Sequence, residues 1–131
     1  MSYDAPSSGD TVDAIHSADF VYTFAADTAA GSQLVFSVRR DPADELAAVE
    51  ILSGSGLAVL NGATAANSGD ATLERLSATQ CRATILARAL VELDPGPYAV
   101  EVRELTTDGK TKSKHELALN LRRSASRRRV A

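Results

Sequence analysis

Two histidines and one cysteine are the first residues to consider for catalysis. His16 stands at the edge of a predicted strand, and His115 lies in a run of Lys, Ser and Glu that is typical of a solvent-facing segment. A nucleophilic triad needs Ser or Cys beside His and a carboxylate, and no Gly-x-Ser-x-Gly elbow between a strand and a helix occurs. We expect Cys81 to be a small core hydrophobe and the protein to have no enzymatic activity. An enzyme would require a pocket that holds His16 or His115 beside a carboxylate.

Two further stretches could bind ions. Asp41, Asp44 and Glu45 lie close together, but their spacing is not that of a calcium loop, and no Cys/His ligand set accompanies them. The Ser-Gly-Ser-Gly run at 53–56 lacks the following helix or lysine that phosphate binding needs. We interpret both stretches as turns and predict no metal site and no cofactor.

The C-terminal arginines are the strongest local signal. The first 38 residues carry five aspartates and no Lys or Arg, whereas the last ten carry five arginines and no acid. Three interpretations are open for this tail: docking on an acidic protein surface, a solvated tail, or nucleic-acid binding. The acidic body without interleaved aromatics favours the first over the third. The candidate partner-binding residues are Arg122, Arg123, Arg127, Arg128 and Arg129, with Asp4, Asp10 and Asp13 as acceptors on a neighbouring copy.

The clearest structural element lies near the C-terminal end, from Pro97 to Arg123. Apolar residues alternate with polar or small ones over 98–103 and again over 117–122, which is the period of a half-buried strand. Asp108-Gly109 between them is a preferred pair for a tight turn. The sequence therefore predicts an antiparallel hairpin that packs its apolar face on the rest of the chain.

The remaining chain predicts short strands separated by Gly, Pro and Asn turns. An aromatic strand at 18–26 and a second strand at 33–40, joined by six turn-like residues, predict another hairpin. Short strands are expected within 46–52, 57–60, 73–76 and 82–86, and one or two helical turns at 87–93. The pattern indicates one all-β domain, an antiparallel sandwich at 15–121, with an N-terminal arm at 1–14 and a basic tail at 122–131.

Composition limits the cellular setting. No apolar run reaches 18 residues and the first residues resemble no secretory signal, so we expect neither a membrane span nor secretion. The single cysteine fits synthesis in a reducing cytoplasm.

The order of these pieces resembles a family, the immunoglobulin-like β-sandwich modules of tailed-phage virions, as at the N-terminus of baseplate upper proteins. The matching stretches are the aromatic strand at 17–24, the "FSVR" strand at 34–39, the Leu-x-Pro-Gly-x-Tyr element at 93–102, the Asp-Gly turn and the last apolar strand. The resemblance covers roughly residues 15 to 122. It implies an immunoglobulin-like sandwich with one short helical turn and extended terminal arms, without an active site.

From this resemblance we expect a structural protein of a tailed-phage virion, made in the host cytoplasm. It would be a tail or baseplate adaptor or a capsid decoration protein, and would join neighbouring virion subunits. Other virion proteins and copies of the chain itself are the expected partners, the opposite charges at the two ends suiting head-to-tail contacts. The alternative function is nucleic-acid binding through the arginine tail.

Overall fold

The computed structural model describes residues 7–123, with side chains described from residue 11. This part of the chain folds into ten strands, one short α-helix and a 3₁₀ turn at Ser68–Asp70. The strands are β1 Ser7–Ile15, β2 Phe20–Ala25, β3 Gln33–Arg39, β4 Val49–Leu52, β5 Gly56–Leu60, β6 Ala63–Thr64, β7 Ala71–Ser77, β8 Gln80–Ile85, β9 Gly96–Leu105 and β10 Thr111–Arg122; the helix α1 is Ala87–Leu90.

The strands form two sheets. The larger sheet has the order β1-β10-β9-β3-β4-β5-β6, and the smaller one has the order β2-β8-β7. All neighbours are antiparallel except β1, which runs parallel to β10. The predicted all-β antiparallel sandwich is confirmed.

The core lies between the two sheets and is built from alternate side chains of each strand. On β9, Tyr98, Val100 and Val102 are buried while the residues between them are partly exposed. Phe36 on β3 is fully buried and lies 6.3 Å, centroid to centroid, from Phe24 on β2. The two sheets therefore share one apolar interior, as the period-2 pattern requires.

The predicted C-terminal hairpin is confirmed. Strands β9 and β10 pair from Gly96–Leu121 to Leu105–Thr111, around the turn that contains Asp108-Gly109. The register shifts between Ser113 and His115, so that Lys114 is an extra residue on β10. Such a bulge changes which side chains point inward on the two sides of the extra residue.

The predicted hairpin of the strands at 18–26 and 33–40 is wrong, although both strands exist. Strand β2 pairs with β8 in the smaller sheet, and β3 pairs with β4 and β9 in the larger sheet. The residues between them cross from one sheet to the other. Six polar and small residues suit a crossing as well as a hairpin turn, and β8 and β9, which pair with β2 and β3, lie far away in sequence.

The terminal segments also differ from the sequence interpretation. Most of the segment interpreted as an arm at 1–14 is strand β1, which adds to the edge of the larger sheet. At the other end Arg122, interpreted as the start of the tail, is the last residue of β10 and pairs with Ile15. Residues 1–6 and 124–131 lie outside the described part.

The predicted helical turn is confirmed and leads into a tight corner. After α1, the Tyr98 hydroxyl donates a 2.5 Å hydrogen bond to the carbonyl oxygen of Asp94. The Arg40 guanidinium lies 4.7 Å from the Tyr98 ring centroid and donates to the carbonyl oxygens of Pro95 and Pro97. This corner fixes where β9 enters the larger sheet. Over residues 7–123 no helix is long and apolar enough to span a bilayer.

Candidate interaction surface

Both histidines are buried inside the sandwich. His16 Nε2 donates a 2.9 Å hydrogen bond to the carbonyl oxygen of Leu93. His115 Nε2 lies 2.9 Å from the Tyr22 hydroxyl, and its ring stacks on Phe24 with centroids 5.0 Å apart. The prediction that the His115 segment faces solvent is wrong for His115, because it lies two residues before Leu117 and therefore on the same inward side of β10. Both rings have structural contacts inside the core.

Cys81 is fully buried on β8 in the hydrophobic core, which confirms the prediction for this residue. Burial raises the pKa of its thiol, the charge of Arg75 opposes that effect, and the charge of Glu104 adds to it. The thiol is thus held in its unreactive protonated form.

The two stretches interpreted as turns are turns. Asp41 Oδ1 accepts a hydrogen bond from the Ala43 N–H, and Asp44 Oδ2 accepts one from the Asp41 N–H, both on the surface. Residues 53–55 connect β4 to β5. Across residues 11–123, no cluster of three or more His, Cys, Asp or Glu side chains is placed to hold a metal.

The side of the larger sheet that faces away from the smaller sheet carries exposed and partly exposed side chains on β1, β10 and β9, whereas Val35 and Ser37 on β3 are buried. We call this side the outer face; it consists of the outward side chains of β1, β10, β9 and β3. Along β10 these are Glu116, Ala118, Asn120 and Arg122, which alternate with buried leucines. The cross-strand pairing places Ala99 of β9 beside Ala118 and Glu101 beside Glu116.

A concavity of about 490 Å³ opens on the outer face. Small side chains form its floor, among them Thr11, Ala99 and Ala118. Its lining also includes four charged residues, Arg39, Arg40, Glu101 and Glu116, together with Pro42, Ser37, Pro97 and Tyr98. A shallow surface with a small-residue floor and charges around it is suited to the backbone or side chains of another protein.

The charges of the outer face are only partly paired within the chain. Arg103 Nη2 lies 4.0 Å from Glu50 Oε2 and donates to Ser37 Oγ at 3.5 Å. Glu101 and Glu116 are direct cross-strand partners, and no Lys or Arg among the described residues forms an ion pair with either. Like charges in that arrangement are destabilising.

The structure places three of the sequence-predicted site residues on or next to this surface. Arg122 and Arg123 are exposed at the end of β10. Asp13 is exposed on β1, and its Oδ1 accepts a 3.3 Å hydrogen bond from Asn120. Asp10 lies in β1 opposite Leu117, and nothing further is described of its side chain. Asp4, Arg127, Arg128 and Arg129 lie outside the described residues.

Sequence reasoning missed Glu101 and Glu116 as candidates, although the alternation of the last strand was a signal for Glu116. The alternation of β10, read backward from Leu121, places Glu116 and Arg122 on one side of the strand. Their shared face follows from the pattern, whereas the position of Glu101 beside Glu116 requires the register of the hairpin.

No protein-family model matches this sequence, and no curated protein matches it. Solved structures do match. A structure of murine CRIg is 17% identical, with a TM-score of 0.51 over 87% of this chain and 93% of that one. The Ig1 domain of mouse SynCAM 2 is 16% identical, with a TM-score of 0.44 over 88% and 93%. The extracellular domain of the voltage-gated sodium channel β4 subunit is 13% identical, with a TM-score of 0.45 over 95% and 98%.

The similarity to murine CRIg concerns the fold, which is an immunoglobulin-like sandwich. The strand order agrees with it, since β4 and β5, followed by the short β6, extend the larger sheet beyond β3, and additional strands at this place are typical of the variable type. Tyr98 occupies the tyrosine corner of such domains, and its hydroxyl bonds back to the Asp94 carbonyl. The immunoglobulin-like part of the expected resemblance is confirmed, and its baseplate part stays a prediction.

Proposed function

We propose that this protein is a non-enzymatic structural module that joins protein subunits, and that the assembly is a tailed-phage virion. The observation that carries the proposal is the outer face, with its floor of small side chains and its border of charges of both signs. The virion as the setting is supported by the sequence resemblance at 17–24 and 93–102.

In this mechanism the sandwich is a rigid block that presents the outer face to a neighbouring subunit. Strands β9 and β10 run through the middle of that face and are paired with each other from Gly96 to Leu105, with one bulge at Lys114. Their backbone is therefore ordered before binding, which lowers the entropic cost of the contact. The residues that act in contact are Asp13, Glu101, Glu116 and Arg122.

The arginines beyond residue 123 and Asp4 keep the role proposed from the sequence, as further contacts with adjacent subunits. Each exposed ion pair contributes only about 0.2–1 kcal/mol. Clamping by the tail therefore needs several pairs in each subunit and many subunits in one particle.

The test is the composition of particles made by cells that carry this sequence in its natural genomic setting. Particles are banded on a density gradient, washed in high salt, and analysed by quantitative mass spectrometry and by labelling with an antibody raised against the purified chain. The proposal expects a fixed copy number relative to the major capsid protein, and labelling at one location on the particle. A chain that is produced in the cells but absent from washed particles would overturn it.

A further inference from the structure

The outer side of β10 has a sequence of charges that is complementary to itself when reversed. Read from Glu116 to Arg122, its exposed positions are an acid, an alanine, an amide and an arginine. A second copy of the strand in the opposite direction places arginine over glutamate at one end and glutamate over arginine at the other. In the same direction, like charges would face each other.

We propose that the outer face binds a second copy of this chain, with the two β10 strands antiparallel and related by a two-fold axis near Leu119. Leu119 lies midway between Glu116 and Arg122 in sequence. The ends of this seven-residue stretch are about 20 Å apart. One axis therefore produces two identical contacts, each between Arg122 of one copy and Glu116 of the other.

The floor of the outer face allows the two sheets to approach. Near the axis Ala118 carries only a methyl group, and it is flanked by Ala99 on β9 and Thr11 on β1. The volume above these residues, about 490 Å³, is open in a single chain. The small side chains at the centre leave room for the facing sheet, and a polar rim around the centre is usual in a specific interface.

A second observation points to a cation from outside the chain. Glu101 and Glu116 lie directly opposite each other on β9 and β10, and within the described residues neither has an ion-pair partner. That repulsion is relieved when a guanidinium lies between the carboxylates. In the antiparallel arrangement Arg122 of the second copy provides this guanidinium.

The contact uses the same patch on both copies, so it closes as a dimer and does not propagate as a filament. It differs from the head-to-tail contact expected from the charges of the two ends, which could propagate. The inference rests on the proposed function in that it names one of the joined subunits, a second copy.

The test is a charge swap on the full chain. Glu116→Arg and Arg122→Glu are made singly and together, and the dissociation constant is measured by sedimentation velocity in low salt. Each single reversal creates two like-charge contacts in a dimer, so the constant should rise at least about tenfold. The double variant restores opposite charges across the axis and should return to within about threefold of the parent.

Glu92→Arg is the matched control, because it makes the same change of charge at an exposed position next to α1, away from the outer face; it should leave the constant unchanged. Circular dichroism and thermal unfolding of each variant verify the fold.

The inference is overturned if the parent chain is monomeric at about 100 µM, a concentration far above the dissociation constants of ordinary specific complexes. It is also overturned by a parent dimer that tolerates both single reversals, or by a double variant that stays dissociated. The particle composition can still support the proposed function after such a failure, and a dimer can exist without virion incorporation.

Discussion

The Tyr98 hydroxyl donates a 2.5 Å hydrogen bond to the carbonyl oxygen of Asp94, across the corner between α1 and β9. The same ring lies under the Arg40 guanidinium, which binds the carbonyl oxygens of Pro95 and Pro97. One aromatic side chain thus connects the end of β3 to the start of β9. The corner determines where β9, one of the strands of the outer face, enters the larger sheet.

Replacing Tyr98 with Phe should lower the free energy of unfolding by about 0.5–1.5 kcal/mol, the usual net value of one hydrogen bond. The ring keeps its packing, so the slope of the urea unfolding curve should not change.

Burial raises the pKa of the Tyr98 phenol above 10, with Arg40 opposing and Asp94 adding to that effect. The unfolded chain therefore loses its proton first, and the parent should lose stability above pH 10 faster than Y98F does. Equal slopes above pH 10 would contradict the assignment.

A buried carboxylate at the other end of β9 provides a second prediction. Glu104 Oε2 accepts hydrogen bonds from Ser32 Oγ at 2.6 Å and from the Ala29 N–H at 2.7 Å, and Lys114 Nζ lies 3.6 Å from Oε1. Burial acts to raise the pKa of this carboxyl. The two hydrogen bonds and the charges of Lys114 and Lys112 together outweigh that effect, so its pKa lies below 4.5.

Glu104→Gln should therefore reduce the free energy of unfolding at pH 7 by about 1–3 kcal/mol, since it removes a charge from these hydrogen bonds. A lowered pKa means that the unfolded chain binds protons more readily, so the contribution of Glu104 is present above pH 4.5 and is lost as the pH falls further. Urea unfolding of parent and variant from pH 7 to pH 3 measures this. The difference between them should shrink below pH 4.5, and a constant difference would contradict the role given to the charge.

The elements that the sequence predicts well are those specified locally. The β9–β10 hairpin combines alternation on both strands with an Asp-Gly turn, and all these signals lie within about thirty residues of each other. The partner of β2 is β8, some sixty positions later, and no local signal indicates it. Strand β1 begins with Ser-Ser-Gly-Asp, whose β propensity is low, and it forms a strand because β10 offers an unpaired edge.

For the outer face too, the sequence predicts the features of a single strand but not those that depend on several strands. Arg122 was identifiable from the charge of the C-terminal region, and its neighbours on the outer side of β10 follow from the alternation. The concavity cannot be derived in that way, because it depends on Ala99, Ala118 and Thr11 coming together from three strands. His115 was assigned to solvent because its neighbours are polar. Extending the alternation of Leu121, Leu119 and Leu117 by one step would have placed it inside.

Gly56, at the start of β5, should not tolerate a side chain. Its φ is +90°, and a Cβ there would overlap the carbonyl oxygen of Ser68. Gly56→Ala should cost about 1–3 kcal/mol through backbone strain alone, and more because the segment at 68–71 must move. Gly69→Ala is the control, since a Cβ at Gly69 meets nothing within 4 Å; it should change stability by less than about 0.5 kcal/mol. Thermal unfolding of both variants measures the difference, and equal losses would contradict the close approach.

Deleting residues 124–131 tests whether the arginine tail binds nucleic acid. The chain carries a net charge of −3, and the folded part repels phosphates, so we expect only weak DNA binding at about 150 mM salt, with a dissociation constant above roughly 10⁻⁶ M. Fluorescence anisotropy with a 20-base-pair duplex, about two helical turns, should give similar curves for the full chain and the deletion. Arg122 stays in the deletion because it is part of β10. Tight binding by the full chain alone, with an affinity that falls steeply as salt rises, would instead favour the nucleic-acid function for the arginine tail.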